Sequence, residues 1–376
     1  MNRRNVATIC TQIGNRSDEK TGAVSAPIYH STAYRHEGIG CSTGYDYART
    51  KNPTRALLEE GIAELEGGDG GFACSSGMAA IQLVLTLFEP GDDIVATSDI
   101  YGGTYRLFEE GWRKWGLTFQ YGDPRNPDMF RRMITEKTKA LFIETPTNPL
   151  MQEADLSVYK QMAEEHGLYL IVDNTFYTPL IQRPIDEGAD IVIHSASKYL
   201  AGHNDVIAGL VAAKGEKLCE RLAFSLNSAG QILSPNDSWL VMRGIKTLPV
   251  RMKQHEENAK EIAAYLESHA SVSEVIYPGR GGMLSFRVND EACVDPFLRN
   301  LELITFAESL GGVESLLTYP ATQTHADVPQ NVREAIGVDN CLLRYSVGIE
   351  SAADLIADLD YALEKAEQAT RESSSS

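Results

Sequence analysis

A lysine that follows an apolar run is the first residue of this sequence whose position suggests chemistry. Residues 190–194 read DIVIH, and Lys198 comes four residues later, after Ser195 and Ser197. If the folded chain withdraws this amine from water, its pKa falls and it becomes a nucleophile. A lysine at such a place can instead extend its charged end to solvent, and it then has no catalytic role.

Other polar and aromatic residues follow other apolar runs in the same way. They are Ser75, Ser76, Gly77 and Met78 after GFAC, Tyr101 after DIVATSD, Asn148 after KALFIETP, and Asp173 after LYLIV. Serines and a glycine at a helix start can bind phosphate, since free N–H groups and the helix dipole both favour an anion there. A tyrosine can stack on a flat ring, and a buried aspartate requires a cationic partner such as a protonated pyridine nitrogen.

Together with Lys198, these groups match pyridoxal phosphate, whose aldehyde bonds to a lysine amine and whose ring nitrogen bonds to an aspartate. Each signal is weak alone, because the serines can be a simple helix N-cap, Asp173 a helix cap and Tyr101 a packing residue. Their order along the chain favours a binding site. Ligands of open α/β sheets bind beyond the carboxyl ends of the strands, where all these residues are expected.

The elements that must position these residues are predicted by periodicity. From about residue 60, short apolar runs alternate with helical segments, which indicates βαβ units and a mainly parallel sheet. The runs are continuously apolar, as in strands buried on both faces. The helical pattern of residues 235–265 breaks near Pro249, and shorter strand candidates follow. We therefore predict an irregular N-terminal arm over residues 1–45, a large α/β domain over 46–240 and a smaller α+β domain over 241–376.

Composition argues against several classes of protein. The net charge of −18 disfavours nucleic-acid and anionic-membrane surfaces, because both attract clustered positive charge. The six cysteines contain no CxxC pair, which is typical of reduced thiols in a cytoplasmic protein. No apolar run has the length of a signal peptide or a membrane span. The histidines lack metal-ligand spacing, and GGDGGFA precedes its strand instead of following it, so neither a metal site nor a dinucleotide site is predicted.

Nine blocks of sequence together resemble one known family. They are YDYARTKNPTR (45–55), ACSSGMAAI (73–81), DIYGGTYRLF (99–108), IETPTNP (143–149), VDNTFYTP (172–179), HSASKYLAGHND (194–205), ESLGGVESL (308–316), THADVP (324–329) and LLRYSVGIE (342–350). Their content and order are similar to the Cys/Met-metabolism family of pyridoxal-phosphate enzymes, in its cystathionine γ-synthase-like group. The resemblance implies a fold type I, aminotransferase-like architecture. One departure is SASK, where the usual family motif is SxTK.

The resemblance also implies roles for individual residues. Lys198 corresponds to the lysine that binds the cofactor covalently, Asp173 to the partner of the ring nitrogen with Thr175 beside it, and Tyr101 to the stacking tyrosine. The residues that correspond to phosphate ligands are Gly77, Met78, Ser195 and Ser197, with Tyr47 and Arg49 reaching the phosphate of a neighbouring subunit. A homo-oligomer with shared active sites follows from this, as a tetramer of two such dimers.

Further positions correspond to substrate contacts. Arg344, with Ser309 and Asn148, corresponds to the group that binds the substrate carboxylate, which a guanidinium fork matches in two-point fashion. Without the resemblance, Arg344 would be interpreted as part of a surface salt bridge. Asp46 and Glu308 resemble acidic positions of the γ-type enzymes that hold the amino end of cysteine or cystathionine. Both can equally be solvated carboxylates.

The reaction is narrowed by a few local features. Methionine-cleaving members carry a cysteine two places after the stacking tyrosine, where this chain has Gly103, so that activity is not expected. YPATQTHADVP and LLRYSVGIE resemble the bacterial synthase that takes O-acetylhomoserine. We expect γ-replacement on an O-acyl-homoserine by cysteine, with sulfide as a second acceptor, and cystathionine γ-lyase or β-lyase as the alternative. The donor acyl group and the main acceptor stay open. A non-catalytic relative is disfavoured, because Lys198 and its predicted partners are all retained.

Overall fold

A seven-stranded sheet organises the larger part of the structure, a computed structural model that describes residues 4–326 and 328–374. Its strands are β1 (Gly70–Cys74), β2 (Asp93–Thr97), β3 (Thr118–Gly122), β4 (Thr138–Glu144), β5 (Tyr169–Asp173), β6 (Ile191–Ser195) and β7 (Gly209–Ala213). In space they are ordered β1-β7-β6-β5-β4-β2-β3, and β7 alone runs against the others. The prediction of an α/β fold with a mainly parallel central sheet is confirmed.

A second, five-stranded sheet lies in the C-terminal part of the chain. Its strands are β8 (Val272–Ile276), β9 (Met283–Val288), β10 (Thr305–Phe306), β11 (Leu316–Thr318) and β12 (Leu342–Ser346), in the order β10-β11-β12-β9-β8. Pairing is antiparallel except between β10 and β11. This arrangement places Arg344 in the middle strand of the smaller sheet.

Helices cover both sheets. They are α1 (Val6–Gln12), α2 (Pro53–Glu66), α3 (Gly77–Leu85), α4 (Gly102–Arg106), α5 (Pro127–Met133), α6 (Leu156–His166), α7 (Thr178–Ile181), α8 (Glu216–Ala229), α9 (Pro235–Ile245), α10 (Leu248–Ser268), α11 (Val294–Arg299), α12 (Gln330–Ala335) and α13 (Ala352–Ser374). A π-helical turn, Leu107–Gly111, and 3₁₀ turns at Trp112–Trp115 and Glu291–Cys293 complete them. Across residues 4–326 and 328–374, no helix combines the length and the apolar character needed to cross a membrane.

The continuous apolar runs form strands because the large sheet is buried on both faces. Every residue of β2 and β7 is buried. One core packs on the face covered by α1, α2 and α6, and another on the face covered by α3 and α8. Burial of apolar surface is worth about 25 cal/mol per Å². It fixes which side of each strand faces each core, and therefore where the strand ends lie.

Two segments bear on the predicted division of the chain. The helical pattern of residues 235–265 forms α9 and α10, separated at residues 246–247, and Pro249 lies in the first turn of α10. Residue 240, the predicted boundary, lies within α9, and the division itself remains a prediction. Within the predicted arm, α1 buries Ile9 and Cys10 against the chain's own core, while residues 14–45 contain no helix. Residues 1–3 of that arm lie outside the described part of the chain.

Candidate active site

A cavity of about 810 Å³ opens where the carboxyl ends of the strands meet the smaller sheet. Because β1, β4, β5 and β6 point the same way, the residues that follow them reach one edge. The predicted residues in its lining are Gly77, Met78, Tyr101, Asn148, Asp173, Thr175, Ser195, Ser197, Lys198, Glu308, Ser309 and Arg344. The cavity therefore brings together side chains that are spread over most of the sequence.

One end of the cavity is formed by the start of α3. The Oγ atom of Ser76 accepts the backbone N–H of Ala79 at 3.0 Å, which caps the helix. The N–H groups of Gly77 and Met78 belong to the first turn, where a helix supplies no partner. A Cβ atom on Gly77 would lie 2.9 Å from Ser195 Cβ, so the backbone approaches β6 more closely than a side chain allows. This cradle of N–H groups and hydroxyls suits a phosphate.

Asp173 faces the same cavity from the end of β5. Its Oδ1 atom accepts the backbone N–H of Thr175 at 3.0 Å and the Thr175 hydroxyl at 2.5 Å. The Oγ1 atom of Thr175 in turn accepts the N–H of Ser195 at 2.9 Å, which ties β5 to β6. Burial raises the pKa of Asp173, and the bonds from Thr175 and the nearby His194 oppose that rise. A cationic ring nitrogen would supply the counter-charge that a buried carboxylate requires.

Lys198 lies in the turn after β6 and is held inside the cavity. Its Nζ atom donates to Ser309 Oγ at 2.9 Å. Burial, reinforced by the positive charge of Arg344 and opposed by Glu308, lowers the pKa of Lys198 to about 8. The structure therefore excludes a solvent-extended lysine and provides an amine that is readily neutral.

Arg344 is buried, with 2% of its surface exposed, so its interpretation as a surface salt bridge is wrong. Its Nη1 atom donates to Asn148 Oδ1 at 2.9 Å, and Nη2 donates to the Ser309 carbonyl at 2.8 Å and Thr318 Oγ1 at 3.0 Å. Among the described residues no carboxylate pairs with it, and Nε has no hydrogen-bond partner. Burial lowers the pKa of Arg344 to about 10, which leaves it charged at neutral pH. A carboxylate ligand would satisfy both the charge and the free N–H.

Tyr101 occupies the position before α4 and is 39% exposed at the cavity wall. Its backbone N–H donates to Glu144 Oε2 at 3.0 Å. A Cβ atom on Gly103 would clash with the Tyr101 ring, and one on Gly102 would clash with the Thr324 carbonyl. Gly103 therefore lets the tyrosine ring lie close against its own backbone, and Gly102 lets the Thr324 segment approach the start of α4.

Glu144 is a cavity residue that the sequence did not single out. It ends β4 beside Asp173 on β5, and burial and the negative charge of Asp173 raise its pKa well above the usual value. The sequence contained a signal for Glu144, because this glutamate follows the apolar run ALFI as Asp173 follows LYLIV.

His325 was not predicted for another reason. It is 1% exposed, and burial together with the charge of Arg344 lowers its pKa to about 4, but nothing in the local sequence indicates that burial.

Three predicted residues do not line the cavity of their own chain. Arg49 Nη1 donates to Asn227 Oδ1 at 3.0 Å, and its guanidinium lies 5.6 Å from the centre of the Tyr47 ring. Asp46 pairs with His36 Nε2 at 2.9 Å. Tyr47 is 49% exposed. Their predicted contacts with cofactor or substrate therefore depend on a neighbouring subunit.

The residues present fit pyridoxal phosphate. Gly77 at the start of α3 leaves room for a phosphate, the Asp173 carboxylate accepts hydrogen bonds from Thr175 alone among the described residues, and Lys198 offers a buried amine. The Nε atom of Arg344, which has no partner among the described residues, is a buried donor available to an anionic group.

Comparison with known proteins points the same way. The family model for "Cys/Met metabolism PLP-dependent enzyme" matches residues 7–364. A Bacillus subtilis cystathionine gamma-synthase/O-acetylhomoserine (thiol)-lyase is 62% identical over 360 residues, covering 96% of both chains. A Haemophilus influenzae cystathionine gamma-synthase is 57% identical, covering 94% of this chain and 96% of its own. A Bacillus subtilis cystathionine gamma-lyase is 48% identical, covering 95% and 98%.

The fold is shared with solved structures of similar proteins. Lactobacillus plantarum cystathionine gamma-lyase, crystallised with L-serine, superposes with a TM-score of 0.95 at 42% identity. The match covers 97% of this chain and all of the other. Synthases and lyases thus both occur among the similar proteins.

Proposed function

Because the chain belongs to the Cys/Met metabolism family of pyridoxal-phosphate-dependent enzymes, we propose that it replaces the γ-substituent of an O-acyl-L-homoserine with cysteine to form cystathionine. The O-acetyl ester is the expected donor, and sulfide is a second acceptor that would yield homocysteine. Identity supports a synthase over a lyase, at 62% against 48% for two proteins of the same organism. Cystathionine γ-lyase or β-lyase activity remains the alternative, because lyases are also among the relatives.

One observation carries the proposal that the cavity binds an amino acid. Arg344 is buried, charged and short of one partner at Nε, and it faces the cavity that also holds the Lys198 amine. A free carboxylate satisfies that arginine by a charge-assisted hydrogen bond. Asn148 and the Ser309 carbonyl hold the other two nitrogens, so the guanidinium is oriented before the substrate arrives.

The cofactor, when bound, supplies an electron sink that stabilises negative charge on carbons of the attached substrate. It would be held by the start of α3, by Ser195 and Ser197, by Asp173 and by the Tyr101 ring. Lys198 would be the base that takes the Cα proton and returns a proton near Cβ. A pKa near 8 suits that task, because proton transfer is most efficient when the base titrates near the working pH.

The replacement itself makes and breaks one bond at Cγ. The acyl carboxylate leaves with the electron pair of the Cγ–O bond, and the thiol sulfur supplies the pair of the new Cγ–S bond. The thiol proton is released, so the products are the thioether, the carboxylate and one proton. Glu308 lines the cavity and is the proposed partner for the ammonium group of the incoming cysteine. Asp46 would join it only from a neighbouring subunit. The proposal includes an active site shared between two subunits and a tetramer built from two such dimers. It also includes a cytoplasmic location.

The test is a comparison of two reactions catalysed by the same preparation. O-acetylhomoserine with cysteine should give cystathionine faster than cystathionine alone gives cysteine and 2-oxobutyrate. A parallel assay with the succinyl ester, and with sulfide in place of cysteine, ranks donors and acceptors. Faster breakdown of cystathionine than its formation would establish the lyase alternative.

A further inference from the structure

Glu144 is a buried residue of the cavity to which the proposed reaction assigns no role. It ends β4, 6% of its surface is exposed, and it lines the cavity together with Asp173. The two residues pair in register, and side chains paired in this way on neighbouring strands lie on the same face of the sheet. Two carboxyl groups on one buried face are unfavourable, because burial and like charge both disfavour the ionised form. The fold alone therefore does not explain Glu144.

The Glu144 side chain forms a hydrogen bond with the backbone of Tyr101. The N–H of Tyr101 donates to Glu144 Oε2 at 3.0 Å, although the two residues are 43 positions apart. Tyr101 immediately precedes α4, and its carbonyl accepts the N–H groups of Thr104 at 2.8 Å and Tyr105 at 3.0 Å. The N–H groups at the start of a helix have no partner within the helix. Glu144 supplies a partner there and so fixes where the chain enters α4.

A second hydrogen bond joins Glu144 to the beginning of the same segment. The backbone N–H of Glu144 donates to Thr97 Oγ1 at 3.1 Å, and Thr97 is the last residue of β2. The segment from Thr97 to Tyr101 is thus attached to residue 144 at both of its ends. Because β2 and β4 are adjacent strands, these two bonds anchor the segment to the large sheet.

The Tyr101 ring depends on this anchor, because packing holds the ring only in part. It is exposed at the cavity wall, where a Cβ atom on Gly103 would lie 2.4 Å from Tyr101 Cε1. A fully buried side chain touches about 6–12 other residues, whereas an exposed ring has fewer contacts that define its place. The position of the Tyr101 backbone therefore determines where the ring lies in the cavity.

We propose that Glu144 is a positioning residue that holds Tyr101 where its ring packs on the cofactor. The contact requires an acceptor oxygen and no charge, since its partner is a neutral backbone N–H. The inference rests on the proposed role of Tyr101 in binding the cofactor ring, and it is independent of which substrate the enzyme uses.

The test measures the dissociation constant of pyridoxal phosphate for full-length apoenzymes. Glu144→Leu removes the acceptor at similar volume and should raise this constant about fivefold, within the range of an aromatic stacking contact. Glu144→Gln keeps an acceptor oxygen and should stay within about twofold of the wild type. The matched control is Asp190→Leu, because Asp190 Oδ2 accepts the backbone N–H of Leu170 at 2.8 Å at the opposite end of the strands. It should lower stability without changing cofactor affinity.

A double-mutant cycle with Tyr101→Ala shows whether Glu144 acts through the ring. Tyr101→Ala keeps the backbone N–H but removes the ring, and alone it should weaken cofactor binding about tenfold. In that background Glu144→Leu should change the dissociation constant less than about twofold, because no ring is left to position. An undiminished effect would mean that Glu144 acts on the cofactor or the fold by another route, and it would overturn the proposal.

Three further outcomes are decisive. Wild-type affinity in folded Glu144→Leu, or equal losses in Glu144→Leu and Glu144→Gln, would refute the positioning role. Glu144→Met is the second variant without a carboxyl oxygen, and failure of both Glu144→Leu and Glu144→Met to fold would assign Glu144 to the fold instead. Wild-type affinity in Tyr101→Ala would instead refute the proposed role of Tyr101, on which the inference rests.

Discussion

Lys198 Nζ donates a hydrogen bond to Ser309 Oγ at 2.9 Å, although the two residues are 111 positions apart in the chain. The Ser309 carbonyl oxygen also accepts a hydrogen bond from Arg344 Nη2 at 2.8 Å. Its backbone has φ +92°, a conformation that residues with a Cβ rarely adopt. One strained residue thus links the proposed base to the proposed carboxylate ligand, and strain of this kind is often found at functional sites.

Substitution of Ser309 should separate these two contributions. In both Ser309→Ala and Ser309→Gly the hydroxyl is lost, so kcat/KM should fall about tenfold to a hundredfold in each, the range for a hydrogen bond to a charged group. Only glycine relieves the positive φ, which costs of order 1–3 kcal/mol. The glycine variant should therefore unfold at higher denaturant concentration than the alanine variant. Equal stability of the two would contradict the assignment of strain.

The lowered pKa of Lys198 predicts how the apoenzyme recovers its cofactor. The neutral amine is the nucleophile, and it forms as the pH rises through about 8 rather than 10.5. The rate of recovery of visible absorbance should therefore increase up to about pH 8 and then level off. A free lysine amine with the same cofactor should continue to gain rate up to about pH 10. The same pH dependence for the enzyme and the free amine would refute the lowered pKa of Lys198. As a control, Lys198→Ala should not recover the visible absorbance.

Arg344 should not be replaceable by another cation. Arg344→Lys keeps the charge but cannot bond Asn148, Ser309, Thr318 and a carboxylate at once, so kcat/KM for the donor should fall about a hundredfold. An amine substrate that lacks the carboxylate should react equally slowly with both enzymes. Arg299→Lys, at an exposed position on α11, is the matched control and should behave as wild type. An Arg344→Lys variant with wild-type KM and kcat would exclude this residue from the carboxylate site.

The position of the Tyr101 ring should require a glycine at residue 103. In Gly103→Ala the new methyl group clashes with the Tyr101 ring, which must move out of its place on the cavity wall. We expect cofactor affinity to fall about twofold to tenfold, because an aromatic stacking contact contributes about 0.5–1.5 kcal/mol. Gly111→Ala meets only the flexible end of Leu107 at 3.3 Å and serves as the control. Unchanged affinity in Gly103→Ala would indicate that the Tyr101 ring does not pack on the cofactor.

Sharing of sites between subunits can be tested by complementation. Arg49→Ala and Lys198→Ala should each be nearly inactive when pure. If Arg49 serves the neighbouring site, a mixed dimer contains one site with both residues intact. Refolding equal amounts together should then restore about a quarter of wild-type activity, because half the dimers are mixed and each has one working site. Activity no greater than that of the separate variants would count against a shared site.

Much of the fold was predictable from short stretches of sequence. The runs DIVAT, LYLIV and DIVIH lie in strands because their apolar residues are consecutive instead of alternating with polar ones, which suits a sheet covered on both faces. Tyr101, Asp173 and Ser195, which come after these runs, were expected at one edge, and all three line the cavity there. The position of β7, reversed between β1 and β6, was not predictable, since strand pairing depends on partners far apart in the chain.

The candidate site likewise has residues that the sequence predicted and relationships that only the tertiary structure shows. Lys198, Asp173 and the start of α3 were recognisable because each follows its own strand, so chain order alone places them at one edge. The burial of Arg344, the strain at Ser309 and the proximity of Glu66 to His194 depend on contacts between segments that the sequence does not relate. Hydrogen bonds and desolvation act across space, and they arise only after the large sheet, the smaller sheet and α2 have packed together.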